Sequence, residues 1–224
     1  MEYAYKGNNN MTPPDPNLTV CWLETCDSCT PWTLDPELTC SADVTIKKEG
    51  KASVKISKGA AGTAKKIEAL LSSPQCGPWF GGYFRANVPT KPTGWNILLK
   101  KTDETYVGIT YVFMDPHTTP KFYAFIYDPE KGYGESSIVD YTNETWEWIE
   151  LKIIDTTVEV WRNGSKFHTF LGWPIYPVSE IEIATRNEHK AEDIWVDYLR
   201  WSDTQEYPPT IITAKLFPFW KLKI

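Results

Sequence analysis

From Trp79 to Trp201 the chain alternates apolar and polar residues in short runs, the period of strands with one buried face. Tyr106–Met114 places Val107, Ile109, Tyr111 and Phe113 on one face. Trp146–Ile154 does the same with Ile149, Leu151 and Ile153, and Val158–Arg162 with Val158 and Val160. The Asn163-Gly164 pair that follows is a strong hairpin signal, because both central positions of the tightest turn need positive φ. Runs at 79–88, 95–100, 121–127, 137–141, 166–170, 180–185 and 194–201 complete the series. Upstream, Asp43–Ser57 predicts two strands around a Glu49-Gly50 turn, Val44 and Ile46 on the first, Val54 and Ile56 on the second. Ala60–Leu71 fits a short helix and equally a strand carrying Ile67, Ala69 and Leu71. Turn residues recurring every roughly eight to twelve positions, with no long helical pattern, predict an all-β fold of two antiparallel sheets.

Composition narrows the function classes. The 224 residues carry a net charge of −6, which argues against a nucleic-acid binder, because phosphate neutralisation needs a basic surface. Hydrophobic residues are 42% of the chain, enough for a packed core. No run approaches the length of a membrane span. The first twenty residues, polar and rich in Asn and Pro, lack the basic start and apolar stretch of a secretory signal. Four Asn-X-Ser/Thr sequons, at Asn10, Asn17, Asn143 and Asn163, are nevertheless typical of exported chains.

Five cysteines are present: Cys21, Cys26, Cys29, Cys40 and Cys76. The odd number leaves at least one outside any intrachain pair. Disulfides stapling the N-terminal region are the leading expectation. Inert thiols are a second reading, and a zinc site of Cys26, Cys29, Cys40 and Cys76 a third.

The stretch WEWIELKIIDTTVEVWRNGSKFHTF resembles the signature of laminin-G-like domains, with Trp146, Ile149, Leu151, Val158, Val160, Asn163 and Gly164 matching in order. The segment EDIWVDYLRWSD resembles the last strand of such sandwiches, apolar residues surrounding Asp197. These domains belong to the concanavalin-A-like lectin and glucanase superfamily. The resemblance implies a jelly-roll β-sandwich over 43–203. It leaves 1–42 as an N-terminal arm with a cysteine-rich loop region and 204–224 as a C-terminal β-arm. In that sandwich Trp146 is expected to anchor the core.

Glycosidases of this superfamily resemble one another in a strand whose alternation sets carboxylates on one face, where acid and nucleophile flank a sugar bond. The nearest counterpart is Glu180 and Glu182, with Ala184 where a third carboxylate would fall. A solvated strand face is the expectation for the pair. Glu147 and Glu150 fall on opposite faces. Lyase chemistry on uronic acids would ask for a Tyr or His base, a cation and an amide. His117, His168 and His189 show no ligand-like spacing. No catalysis is therefore expected. Sugar stacking is expected of Tyr111 and Tyr123, taken as neighbours on successive strands, and of Trp79 and Trp95. No cofactor is expected. Calcium, common in the superfamily, would have Asp103, Glu104, Asp128, Glu130, Glu192 and Asp193 to draw on.

After Pro208-Pro209 the chain alternates to its last residue. Leu216, Phe219, Trp220, Leu222 and Ile224 make an apolar arm that needs cover, from its own sandwich or a neighbouring subunit. These features predict a non-enzymatic structural or surface module of a virion or other extracellular assembly, with glycan recognition alongside. Its partners would be copies of itself or other subunits. A secreted lectin-like module and a polysaccharide hydrolase or lyase are the alternatives.

Overall fold

The computed structural model describes residues 20–59, 67–73, 75–175, 177–185 and 192–205. Among them there are sixteen strands and no helix. In chain order they are β1 (Val20–Glu24), β2 (Trp32–Leu34), β3 (Leu38–Asp43), β4 (Ser53–Lys58), β5 (Ile67–Ser72), β6 (Trp79–Asn87), β7 (Thr93–Lys100) and β8 (Tyr106–Phe113). They continue with β9 (Lys121–Asp128), β10 (Gly132–Glu135), β11 (Val139–Asp140), β12 (Glu147–Ile154), β13 (Thr157–Arg162), β14 (Ser165–Leu171), β15 (Glu180–Thr185) and β16 (Glu192–Ser202).

The strands form two antiparallel sheets. The first runs β14-β13-β12-β6-β16-β4-β3, with β1 also on β16. The second runs β10-β9-β8-β7-β15-β5-β2, with β11 on β9. Every second residue of each strand fills the space between them. Trp95, Ile97 and Leu99 meet Val107, Ile109 and Tyr111 across the β7–β8 ladder. Ile149, Leu151 and Ile153 meet Val160 and Val158 from β13. Burying each such aliphatic chain contributes about 1.5–3 kcal/mol, so the period-two pattern itself drives the two layers together. The fold is the two-sheet jelly-roll sandwich that the pattern predicts.

Residues 20–42, placed outside the sandwich by the sequence, contribute to both sheets: β1 and β3 join the first and β2 the second. Trp22, Trp32 and Leu38 enter the core. The first of the two strands expected within Asp43–Ser57 does not form. Asp43 Oδ1 accepts the N–H groups of Thr45 and Ile46, both at 2.9 Å. That side-chain turn leads the backbone out of the sheet and leaves Val44 exposed. Over Ile67–Ser72 the strand reading holds, while 60–66 lies outside the described residues. Asn163 and Gly164 both take positive φ at the β13–β14 turn.

Trp146 is not the core anchor. It is half-buried, its ring edge-on to Tyr83 at 6.4 Å. β12 begins one residue later, and its inward positions are the odd-numbered Glu147, Ile149, Leu151 and Ile153.

Candidate functional site

Alternation that fills the core also dictates what the outer face of the second sheet carries. Asn96, Leu98 and Lys100 of β7 point away from the core, opposite Ala184, Glu182 and Glu180 of β15. On the other side of β7 they face Thr110, Gly108 and Tyr106 of β8. β9 adds Tyr123, Phe125 and Tyr127 to the same three rows. The face is thus divided. Carboxylates and a lysine occupy the β15–β7 side, and aromatic rings occupy the β8–β9–β10 side.

Lys100 Nζ lies 2.6 Å from Glu182 Oε2 and 3.5 Å from Glu180 Oε1. Glu182 is fully buried, while about a third of the Glu180 side chain reaches solvent. Because both contacts go to one nitrogen, the two oxygens are no farther apart than those distances laid end to end. That limit is shorter than the roughly 6.5–9.5 Å of inverting glycosidase pairs and compatible with the roughly 5–5.5 Å of retaining ones. In the next row Thr110 Oγ1 donates to Asn96 Oδ1, and Tyr123 stands opposite Thr110.

The aromatic side has its own packing. Leu98, Val112, Tyr123 and Phe125 form an apolar cluster separate from the sandwich core, with Tyr106 against it. Tyr106 stacks on Tyr127 at 5.2 Å and 25°. Tyr133 of β10, 45% exposed, leans on Phe125 at 5.7 Å. Partly exposed rings beside charged groups make a surface on which pyranose faces can stack.

Three further buried carboxyls were not singled out by sequence reasoning as a group. Burial pushes Asp197 up to about 7, and the Glu49 and Asp27 charges push the same way. Its Oδ2 accepts the N–H groups of Lys48 and Glu49, both at 2.8 Å, which ties the 44–52 loop to β16. Burial pushes Glu192 up to about 7 as well. Glu192 accepts from Thr185 Oγ1 and from Gly94 N at 2.9 Å, so a side chain of the first sheet holds β15 and β7 of the second. Glu150, up to about 6 through burial, faces Arg200 at 3.7 Å across Gly81. Two of the three link segments or sheets, and the third sits in an ion pair. Only their burial, invisible in a linear pattern, distinguishes them.

The residues expected to bind glycan are not gathered in one place. Tyr111 and Trp95 are cross-strand partners inside the core, both fully buried, and neither can stack on a sugar. Tyr123 pairs with Thr110 and not with Tyr111, whose partner is Phe122. Since neighbouring residues of a strand face opposite ways, Tyr111 and Tyr123 lie on opposite sides of the sheet. Tyr123 belongs to the outer face just described. Trp79 is on the outer face of the other sheet, beside Trp161 at 6.0 Å.

Cys29 and Cys40 form a disulfide, and Cys76 is disulfide-bonded too. Cys26 is a free, buried thiol whose pKa burial raises well above the ordinary value. Bridged cysteines cannot supply the four-thiolate zinc site. The Cys21 side chain and the arm residues Leu216, Phe219, Trp220, Leu222 and Ile224 lie outside what is described. The six acids proposed for calcium do not converge. Asp103 pairs with Lys101, Asp193 pairs with Lys55, and Asp128 accepts from the N–H groups of Glu130 and Lys131. Among the described residues no three His, Cys, Asp or Glu side chains are placed to hold a metal, and no helix is long and apolar enough to cross a membrane.

No protein-family model matches the chain, and no curated protein matches it in sequence. Solved structures do share its fold. The endo-β-1,4-glucuronan lyase of the fungus Trichoderma reesei superposes with a TM-score of 0.57 at 11% identity, covering 83% of this chain and 96% of that one. For the β-glucanase of Bacillus licheniformis the TM-score is 0.60 at 11% identity, over 82% and 98%. For the laminarinase catalytic domain of Thermotoga maritima it is 0.59 at 8% identity, over 84% and 99%. These findings overturn the expectation of a non-enzymatic assembly module: the three structures, each matched over more than four fifths of this chain, are a glucuronan lyase, a β-glucanase and a laminarinase. At such identities the likeness establishes the scaffold alone, a two-sheet jelly-roll sandwich.

Proposed function

We propose that the protein cleaves a polysaccharide by hydrolysis on the outer face of the second sheet, with Glu182 as nucleophile and Glu180 as acid and base. The observation that carries this reading is the pair of carboxylates on one strand face, bridged by Lys100, beside a strip of tyrosine rings. Glu180 would protonate the leaving oxygen while Glu182 attacks the anomeric carbon. Water activated by Glu180 then releases the sugar, with net retention. Lys100 lies over both carboxylates, so its side chain, one quarter exposed, must swing aside as substrate enters. Fold likeness to glucanases supports the reading, and the disulfides fit a place of action outside the reducing cytosol. The laminin-G-like resemblance then describes the scaffold and not the chemistry.

A second reading rests on the adjacent row. Tyr123, Thr110 and Asn96 place a phenol, a hydroxyl and an amide in one row of the face that also carries Lys100, the group types a β-elimination at a uronic acid uses. Fold likeness to a glucuronan lyase fits it. Incubation with soluble β-glucans and with polyuronates separates the readings. Hydrolysis releases new reducing ends without ultraviolet absorbance, and is expected to vanish in Glu182→Gln and Glu180→Gln. Elimination yields an absorbing unsaturated uronate, and is expected to vanish in Tyr123→Phe. Both fail if the wild type cleaves neither substrate class, or if each variant keeps the full rate.

A further inference from the structure

Trp79 and Trp161 stand on the outer face of the first sheet, on the side of the sandwich opposite Glu182, and flank β12 from β6 and β13. Their ring centroids are 6.0 Å apart and the planes tilt by 56°. Each ring lies under a lysine: Lys152 Nζ is 5.2 Å above Trp79 and Lys166 Nζ 5.4 Å above Trp161. Glu159 fixes the group. It accepts from Trp161 Nε1 at 3.3 Å, pairs with Lys166 at 2.8 Å and lies 3.9 Å from Lys152.

Three features set this group apart from ordinary surface packing. The indoles are oriented in advance, Trp161 by the bond to Glu159 and Trp79 by contact with Trp161, so binding need not order them. Over the rings lie two long side chains that reach solvent, Lys152 at 32% and Lys166 at 47% exposure, so that Trp79 itself is only 8% exposed until they move, and cation–π contacts of this kind are weak. The strip also carries two ammoniums against one carboxylate, a local positive excess on a chain of net charge −6. Tilted indoles suit the apolar faces of successive pyranoses, and the ammoniums suit carboxylates borne by them.

We propose that Trp79 and Trp161, with Lys152 and Lys166, form a second binding surface for an acidic, uronate-bearing polysaccharide, separate from the cleaving face. On binding, the lysines turn off the rings and onto the sugar carboxylates while the glycan strand stacks in their place. The surface holds substrate and performs no chemistry, so it does not depend on the cleavage assignment.

The test is affinity electrophoresis of the full chain through gels containing a polyuronate or a neutral β-glucan, at low and at raised salt. The expected result is retardation by the polyuronate, weakened by salt and reduced at least fivefold in Trp161→Ala. Lys152→Ala/Lys166→Ala should lose the preference for the acidic polymer. Trp161→Ala should keep wild-type cleavage of short soluble oligosaccharides. Circular dichroism and melting of each variant confirm that it is folded. If Trp161→Ala proves unfolded, Lys152→Glu/Lys166→Glu, which keeps both indoles and alters two side chains that reach solvent, must abolish retardation. Wild-type migration unchanged by polyuronate, or retardation surviving in folded Trp161→Ala, overturns the proposal. Absence of cleavage in every protein, with retardation still lost in Trp161→Ala, overturns the catalytic reading and leaves this one standing.

Discussion

Lys100 Nζ sits 2.6 Å from Glu182 Oε2, joining β7 to β15 on the outer face of the second sheet. The partners are not equivalent: Glu182 is fully buried, whereas a quarter of Lys100 is exposed and within 3.5 Å of Glu180. Removing the lysine leaves a buried carboxylate without this partner. Removing the carboxylate leaves a lysine with a second acceptor in reach. Lys100→Met is therefore expected to destabilise by about 3 kcal/mol, and Glu182→Gln by clearly less. Urea denaturation measures both, and the opposite order would refute the asymmetry.

Stability should fall as pH rises through the neutral range. Asp197 and Glu192 are pushed up to about 7 and Glu150 to about 6, in each case mainly by burial. A carboxyl with a folded pKa above its unfolded one stabilises the fold while protonated in both states. That contribution is lost as pH climbs through the folded value. Melting temperature is accordingly expected to drop between pH 5 and pH 8. Asp197→Asn and Glu192→Gln should each flatten the slope. A melting temperature that rises over this interval would contradict the assignment.

Tyr141 clasps the start of the β12 segment to β6. Its hydroxyl accepts from Ala86 N at 3.0 Å and donates to Ala86 O at 2.9 Å, with Thr145 O at 3.2 Å. The ring is buried against Tyr111 at 4.6 Å. Tyr141→Phe keeps the packing and removes only the hydroxyl, so a loss of about 1–3 kcal/mol is expected. A change within error of zero in chemical denaturation would mean that water replaces the bond.

The Cys29–Cys40 bridge ties the turn before β2 to β3 and closes a short loop around β2, with a sequence separation of 11. Chain-entropy reasoning gives about 2–3 kcal/mol for a loop of this size. Cys29→Ala/Cys40→Ala should lower the melting temperature by several degrees and leave the Cys26 thiol buried. Thiol titration of the folded double variant with a membrane-impermeant reagent should find no reactive group, because burial raises the Cys26 pKa. A reactive thiol would show that the bridge holds β1 in place.

Alternation along the chain determined a great deal by itself. It identified Glu180–Thr185 to the residue, the common face of Val107, Ile109 and Tyr111, and the Asn163-Gly164 turn, because these depend on backbone geometry within one strand or hairpin. It also showed that Glu180 and Glu182 share a face. Period two does not say which face turns inward, nor which strand lies alongside. Trp95 and Tyr111 became core and Tyr123 surface only when both sheets were assembled. Asp43 turned Val44 and Ile46 from strand into loop through two side-chain bonds. Glu182 acquired Lys100 from 82 residues away, and Trp79 acquired Trp161 across β12. Such partners are set by sheet order and register, which depend on how the whole core packs, and so only the tertiary structure decides them.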